Sequence, residues 1–182
     1  LRGLVAKAFS IRQVELLRPF IENKSREILD PLIGSSFDLI HDYAQPFSIA
    51  IMGELLGVPE SRYDDFLRWS NDIVRMYDLQ VSEENAEIAE RSAEEFYYYT
   101  DSLIDEKLKE PGDDMITRLA NVTENDQKLS KDQIICTAIL LLNAGHEATV
   151  NTIGNGISAL ISNDIETKSL NEKYDVKNIV EE

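Results

Sequence analysis

Between Ser130 and Ile161 no proline interrupts the chain, which permits a single helix of roughly 30 residues, about 45 Å long. Its first half, Ile134-Ile135-Cys136-Thr137-Ala138-Ile139-Leu140-Leu141-Leu142, is apolar on all sides. A helix of that kind runs through the interior of a protein rather than over its surface. A polar, glycine-bearing patch then interrupts it: Asn143-Ala144-Gly145-His146-Glu147-Ala148-Thr149. A glycine inside a helix costs about 1 kcal/mol relative to alanine, and a buried carboxylate costs more unless it is hydrogen-bonded or paired. A central helix that carries both contains a local conflict, and such conflicts concentrate at functional sites. At 100° per residue, Ala138, Leu141, Leu142, Gly145, Thr149, Thr152 and Gly156 share a face, Ala148 flanks it and Glu147 points away. So small a stripe lets a flat group approach the backbone. Tight helix–helix packing through Gly145, Thr149 and Gly156, with Glu147 capped or paired, reads the same pattern equally well.

The rest of the chain is helical nearly throughout. Ser10 and Gln13 form a capping-box pair. Pro19 breaks one run and suits the first turn of the next, whose apolar residues Phe20, Ile21, Ile28, Leu29 and Leu32 precede a stop at Gly34. Tyr43 to Leu56 is a mostly apolar segment ended by Gly57-Val58-Pro59. Phe66, Leu67, Trp69, Ile73 and Tyr77 mark another helix, and Ser82-Glu83-Glu84 opens a long charged one reaching Lys109. A short helix spans Asp113 to Asn121, and Thr123–Lys128 reads as a polar turn. Phe37–Ile40 is the one candidate strand. The aromatic run Phe96-Tyr97-Tyr98-Tyr99 covers a full turn, so part of it faces the core.

Composition excludes several classes of function. With 43% hydrophobic residues in 182, the chain is no disordered segment despite its net charge of −16. One cysteine forms no internal disulfide and no tetrathiolate zinc site, and two histidines cannot supply a three-histidine metal centre. His146-Glu147 begins like a zinc-protease helix, but Val150 stands where the second histidine belongs. No phosphate-cradling glycine loop or nucleophile elbow is present, and Cys136 reads as an inert core residue. No apolar run approaches the ~18 residues of a membrane span, nothing reads as an export signal, and the expected location is the cytoplasm. Residues 1–27 hold six basic side chains (Arg2, Lys7, Arg12, Arg18, Lys24, Arg26) against three glutamates, on an otherwise strongly acidic chain. Such a body repels nucleic acid. A basic end could dock an acidic partner, or it could be an ordinary solvated face.

The stretch Leu140-Leu-Leu-Asn-Ala-Gly-His-Glu-Ala-Thr-Val-Asn-Thr-Ile-Gly-Asn-Gly156 resembles the central oxygen-activation helix of bacterial cytochrome P-450 monooxygenases, whose pattern is Ala/Gly-Gly-x-Asp/Glu-Thr-Thr/Ser. Leu1-Arg-Gly-Leu-Val-Ala-Lys-Ala-Phe-Ser10 resembles the family's haem-side helix. Ala44–Pro59, ending Glu-Leu-Leu-Gly-Val-Pro, resembles another of its helices. The resemblance implies a mostly α fold, with residues 1–182 forming one incomplete domain. That domain would run from the haem-side helix to the start of a Glu-x-x-Arg helix at Asn178–Glu182.

The activity it implies is that of an oxidoreductase inserting one atom of dioxygen into a small organic substrate, with electrons from a ferredoxin-type partner docked at the basic end. The implied cofactor is haem b, an iron porphyrin whose axial thiolate lies outside this chain, so the fragment alone would be inactive. No metal ligand is assigned within the chain, and neither nucleic acid nor membrane is an expected partner. By the resemblance, Arg2 would hold a haem propionate, and Ala144, Gly145 and Ala148 would line the cofactor. Glu147 would be the acid of a proton-delivery pair. The family's partner for that acid is a threonine where this chain has Ala148; Thr149 is the nearest hydroxyl, rotated by 100°. Tyr77 and Leu79, on the connection between two lid helices, and Leu141 would line the substrate pocket. The alternative is a non-catalytic helical module whose central glycines serve packing or dimerisation.

Overall fold

The computed structural model describes residues 3–5, 11–124 and 127–163. Within the described residues the fold is carried by α1 (Ile11–Leu29), α2 (Gln45–Leu56), α3 (Tyr63–Ile73), α4 (Glu83–Lys109), α5 (Met115–Asn121) and α6 (Lys131–Ser162). Helix α6 is the predicted central helix at 32 residues, about 48 Å long. Ser130 caps it as a full capping box: its hydroxyl accepts from Gln133 N–H while the Gln133 side chain accepts from Ser130 N–H.

Helices α2, α3, α4 and α5 all pack on α6, and α4 also lies along α3. Between α3 and α4 the core is aromatic. Trp69 stacks on Phe96 with ring centroids 5.2 Å apart, Phe66 tilts against both, and Tyr99 closes the cluster. Phe96 is fully buried and Tyr98 is exposed, so the aromatic run divides between core and surface as its helical turn requires.

Gly57 ends α2 with φ of +79°, a left-handed conformation that glycine adopts without strain. That turn sits on Asp114, which caps α5 by accepting from Thr117 N–H and pairs with Lys107 Nζ at 2.8 Å. One buried carboxylate thus ties together the ends of α2, α4 and α5.

Several local expectations are corrected. Pro19 lies inside α1 rather than starting a new helix. Pro19 and Glu15 are both exposed, so water can take up the carbonyl that the proline leaves unpaired. The helix stops at Leu29, and Pro31 sits in a 3-10 turn (Asp30–Leu32) before Gly34. No strand forms at Phe37–Ile40. Instead Asp38 accepts from the backbone N–H groups of Ile40 and His41, capping a π-helical turn (Leu39–Ala44) that leads into α2. Those two N–H groups also hold its carboxyl below the usual range. The polar turn is a minimal hairpin, Thr123–Glu124 paired antiparallel with Gln127–Lys128. Cys136 is exposed, not a core residue. Ser10 of the capping pair, the haem-side segment apart from residues 3–5, and Asn178–Glu182 lie outside the described residues.

Candidate functional site

Over residues 134–150 α6 is mostly covered by its neighbours, and one row in that stretch is not. Cys136, Leu140, Ala144 and Ala148 recur every four residues, and all are exposed, Leu140 by 62%. Their spacing places them in one line along the helix. From Leu140 to Ala148 the line extends about 12 Å, and it narrows from a leucine to two methyl groups. Glu147 is exposed on its edge, 60° round the helix from Ala144.

The structure redistributes the residues that periodicity had put together. Gly145 does not lie on the open row. A Cβ built there would stand 2.4 Å from Met52 Sδ, so this glycine is where α2 seats on α6. Gly154 admits the π-helical turn before α2 in the same way, since a Cβ there would approach Ile40 Cδ1 to 2.9 Å, whereas nothing crowds Gly156. Close packing therefore accounts for two glycines of α6 but not for its exposed alanines. Because the open row is turned away from Gly145, Glu147 borders it instead of pointing away.

Two threonine hydroxyls near the row are committed within the helix. Thr149 Oγ1 donates to the Gly145 carbonyl at 2.6 Å, and Thr152 Oγ1 donates to the Ala148 carbonyl at 2.7 Å. Neither proton is free for a ligand. Glu147 makes no hydrogen bond or ion pair among the described residues. Leu141 is half-buried against the core. Tyr77, at the end of the 3-10 turn after α3 (Val74–Tyr77), and Leu79 are both exposed, as is Met76. Arg2 lies outside the described residues.

Opposite the open row is a buried polar pair that the sequence did not single out. His146, 3% exposed, has Nδ1 2.9 Å from Ser48 Oγ of α2, and Ser48 Oγ donates to the His146 carbonyl at 3.2 Å. A serine hydroxyl has one hydrogen, so with that hydrogen on the carbonyl the ring must donate through Nδ1–H. Burial pushes this imidazole down to about 4, and it is neutral at physiological pH. One turn earlier Asn143 is buried with Oδ1 lacking any partner among the described residues. The reading of His146 as half of a zinc-protease motif could not reveal this pair, because its partner is 98 residues away.

No protein-family model matches the chain. Cytochrome P450 107B1 of Saccharopolyspora erythraea is 44% identical over 164 residues, covering 90% of this chain and 39% of that protein. The chain belongs to the cytochrome P450 family. A second P450 relative, 6-deoxyerythronolide B hydroxylase of the same organism, is 37% identical over 164 residues, 89% of this chain and 39% of the relative. Among solved structures, P450BioI in complex with an acyl carrier protein carrying hexadec-9Z-enoic acid superimposes with a TM-score of 0.87 at 29% identity, over 94% of this chain and 44% of that one. The mixed-function P450 MycG gives 0.79 at 33% identity over 94% and 43%. The chain thus spans about two fifths of the length of the P450 relatives it matches, and their helical fold is the fold seen here. No described helix is long and apolar enough to cross a membrane.

Proposed function

We propose that the protein to which this chain belongs is a haem b-dependent monooxygenase acting on a small organic substrate, with electrons supplied by a ferredoxin-type partner. The observation that carries this reading is the open row on α6. Along residues 134–150, where four neighbours cover most of the helix, Leu140, Ala144 and Ala148 stay exposed, and these are apolar and small at the level of Glu147. Apolar area left uncovered at the centre of a fold calls for an apolar ligand. A strip of this length with two methyl groups fits the flat face of a porphyrin. Ala144 and Ala148 would lie against the macrocycle. Gly145 would act from behind, letting α2 approach so closely that α6 is held in place. Arg2 would hold a propionate.

When bound, the haem supplies activation of dioxygen by a redox-active iron. The chain's own residues supply shape and protons. With haem bound, the small side chains of Ala144 and Ala148 would leave room for a diatomic molecule. Glu147, on the edge of the row and open to water, passes protons inward. At Ala148 there is no hydroxyl, and those of Thr149 and Thr152 already donate to carbonyls. A water or a substrate hydroxyl therefore completes the relay. Tyr77 and Leu79, exposed on the α3–α4 connection, would cover the substrate as part of a lid.

The full-length protein should bind haem and, reduced under carbon monoxide, show the absorption band of thiolate ligation. Ala148→Thr should alter product formed per electron pair. A full-length protein that stays colourless when supplied with haem would refute the function, and unchanged coupling in Ala148→Thr would refute the relay.

A further inference from the structure

Helix α2 and the π-helical turn that leads into it run antiparallel to α6 and touch it at Ile40 beside Gly154, Ser48 on His146, and Met52 on Gly145. The two glycine contacts are van der Waals in kind. They permit close approach but resist sliding or rotation only weakly. The contact at Ser48 is directional, because its hydroxyl accepts from the His146 ring at 2.9 Å and donates to the same residue's carbonyl at 3.2 Å. Both residues are almost wholly buried, so no water replaces either bond if the helices shift. The gripped carbonyl belongs to the peptide unit whose nitrogen is that of Glu147. The grip comes from the far side of the helix, about 200° round from Ala144.

We propose that Ser48 and His146 are positioning residues: together they fix the register and rotation of α6, and so the aim of Glu147 and of the Ala144–Ala148 row. This inference rests on the haem-binding reading of that row. It extends that reading by assigning orientation to a pair that need not touch haem or substrate.

The test uses the full-length haem-loaded protein with carbon monoxide as the probe. In Ser48→Ala, the C–O stretching band of the reduced complex should broaden or split. Amide hydrogen exchange across residues 147–150 should rise about tenfold, the effect of losing one buried hydrogen bond. Ser48→Thr keeps the hydroxyl and should restore both signals. A role confined to overall stability would lower the melting temperature with no change in the band and no local rise in exchange. That pattern, or a Ser48→Thr that behaves like Ser48→Ala, overturns the proposal. If Ser48→Ala does not fold, Ser48→Cys, with its weaker hydrogen bonds, is judged by the same two signals. Failure to bind haem refutes the functional reading instead, and the exchange comparison still decides whether the clamp exists.

Discussion

His146 should make stability depend on pH in a way that a single substitution removes. Its imidazole has an ordinary value of 6.5 in the unfolded chain and about 4 in the fold, where burial opposes the charge. Between these values the unfolded state binds the proton and the folded state does not, so stability falls as pH falls. The slope approaches 1.36 kcal/mol per pH unit, which amounts to about 2 kcal/mol between pH 6.5 and 4.5. The substitution to make is His146→Leu, which removes the titrating group. It keeps the backbone carbonyl to which Ser48 donates, so the serine retains a partner. Denaturant unfolding of the full-length protein and the variant should be compared from pH 7.5 to 4.5. The carboxylates contribute alike to both curves, and the difference isolates the histidine. The variant should lose less stability than the parent over that range, by about 2 kcal/mol. Parallel curves would mean that the ring accepts a proton in the folded state, and the argument from burial would be wrong.

Three further substitutions test the packing around α6 and the joint below it. Gly145→Ala should destabilise by about 1 kcal/mol, because the new methyl meets the mobile end of Met52 rather than backbone; in a Met52→Ala background the same substitution should cost less, as a double-mutant cycle of melting experiments reads. Gly57→Ala should cost more than Gly145→Ala in the same assay. It combines a φ of +79° with a Cβ 2.4 Å from Asp114 Cγ, and strain there would also loosen the Lys107–Asp114 pair. Asn143→Leu should leave stability unchanged or raise it by about 1 kcal/mol, since it removes an unpartnered buried oxygen while keeping the branched heavy-atom shape. A loss of several kcal/mol would show that the amide has a partner.

What could be read in advance and what could not divides by the range of the interactions. The helix opening at Ser82 and the stop at Gly57 depend on residues within a turn of each other, and the structure bears both out; the capping box at Ser130 and the cap at Asp114 are signals of the same short range that the sequence reading passed over. Pro19 and Phe37–Ile40 were misread although their signals are local. In one case solvent around an exposed turn tolerates the proline. In the other, Asp38 offers its carboxylate to two N–H groups and turns a β-prone stretch into a helix start. Cys136 looked buried because its neighbours in sequence are apolar, yet its position every fourth residue with Leu140 and Ala144 places it on the open row.

The amino-acid order alone was enough to specify a long apolar helix with a polar, glycine-bearing centre, and the motif in that centre was enough to point to its family. Which face of that helix stays open was decided only in three dimensions. Periodicity ranks residues by angle but carries no information about which neighbour arrives at which angle. Met52 and Ser48 arrive on the sides of Gly145 and His146, so the alanines are left uncovered. Those partners lie 93 and 98 residues away along the chain, and only the folded packing brings them to the helix.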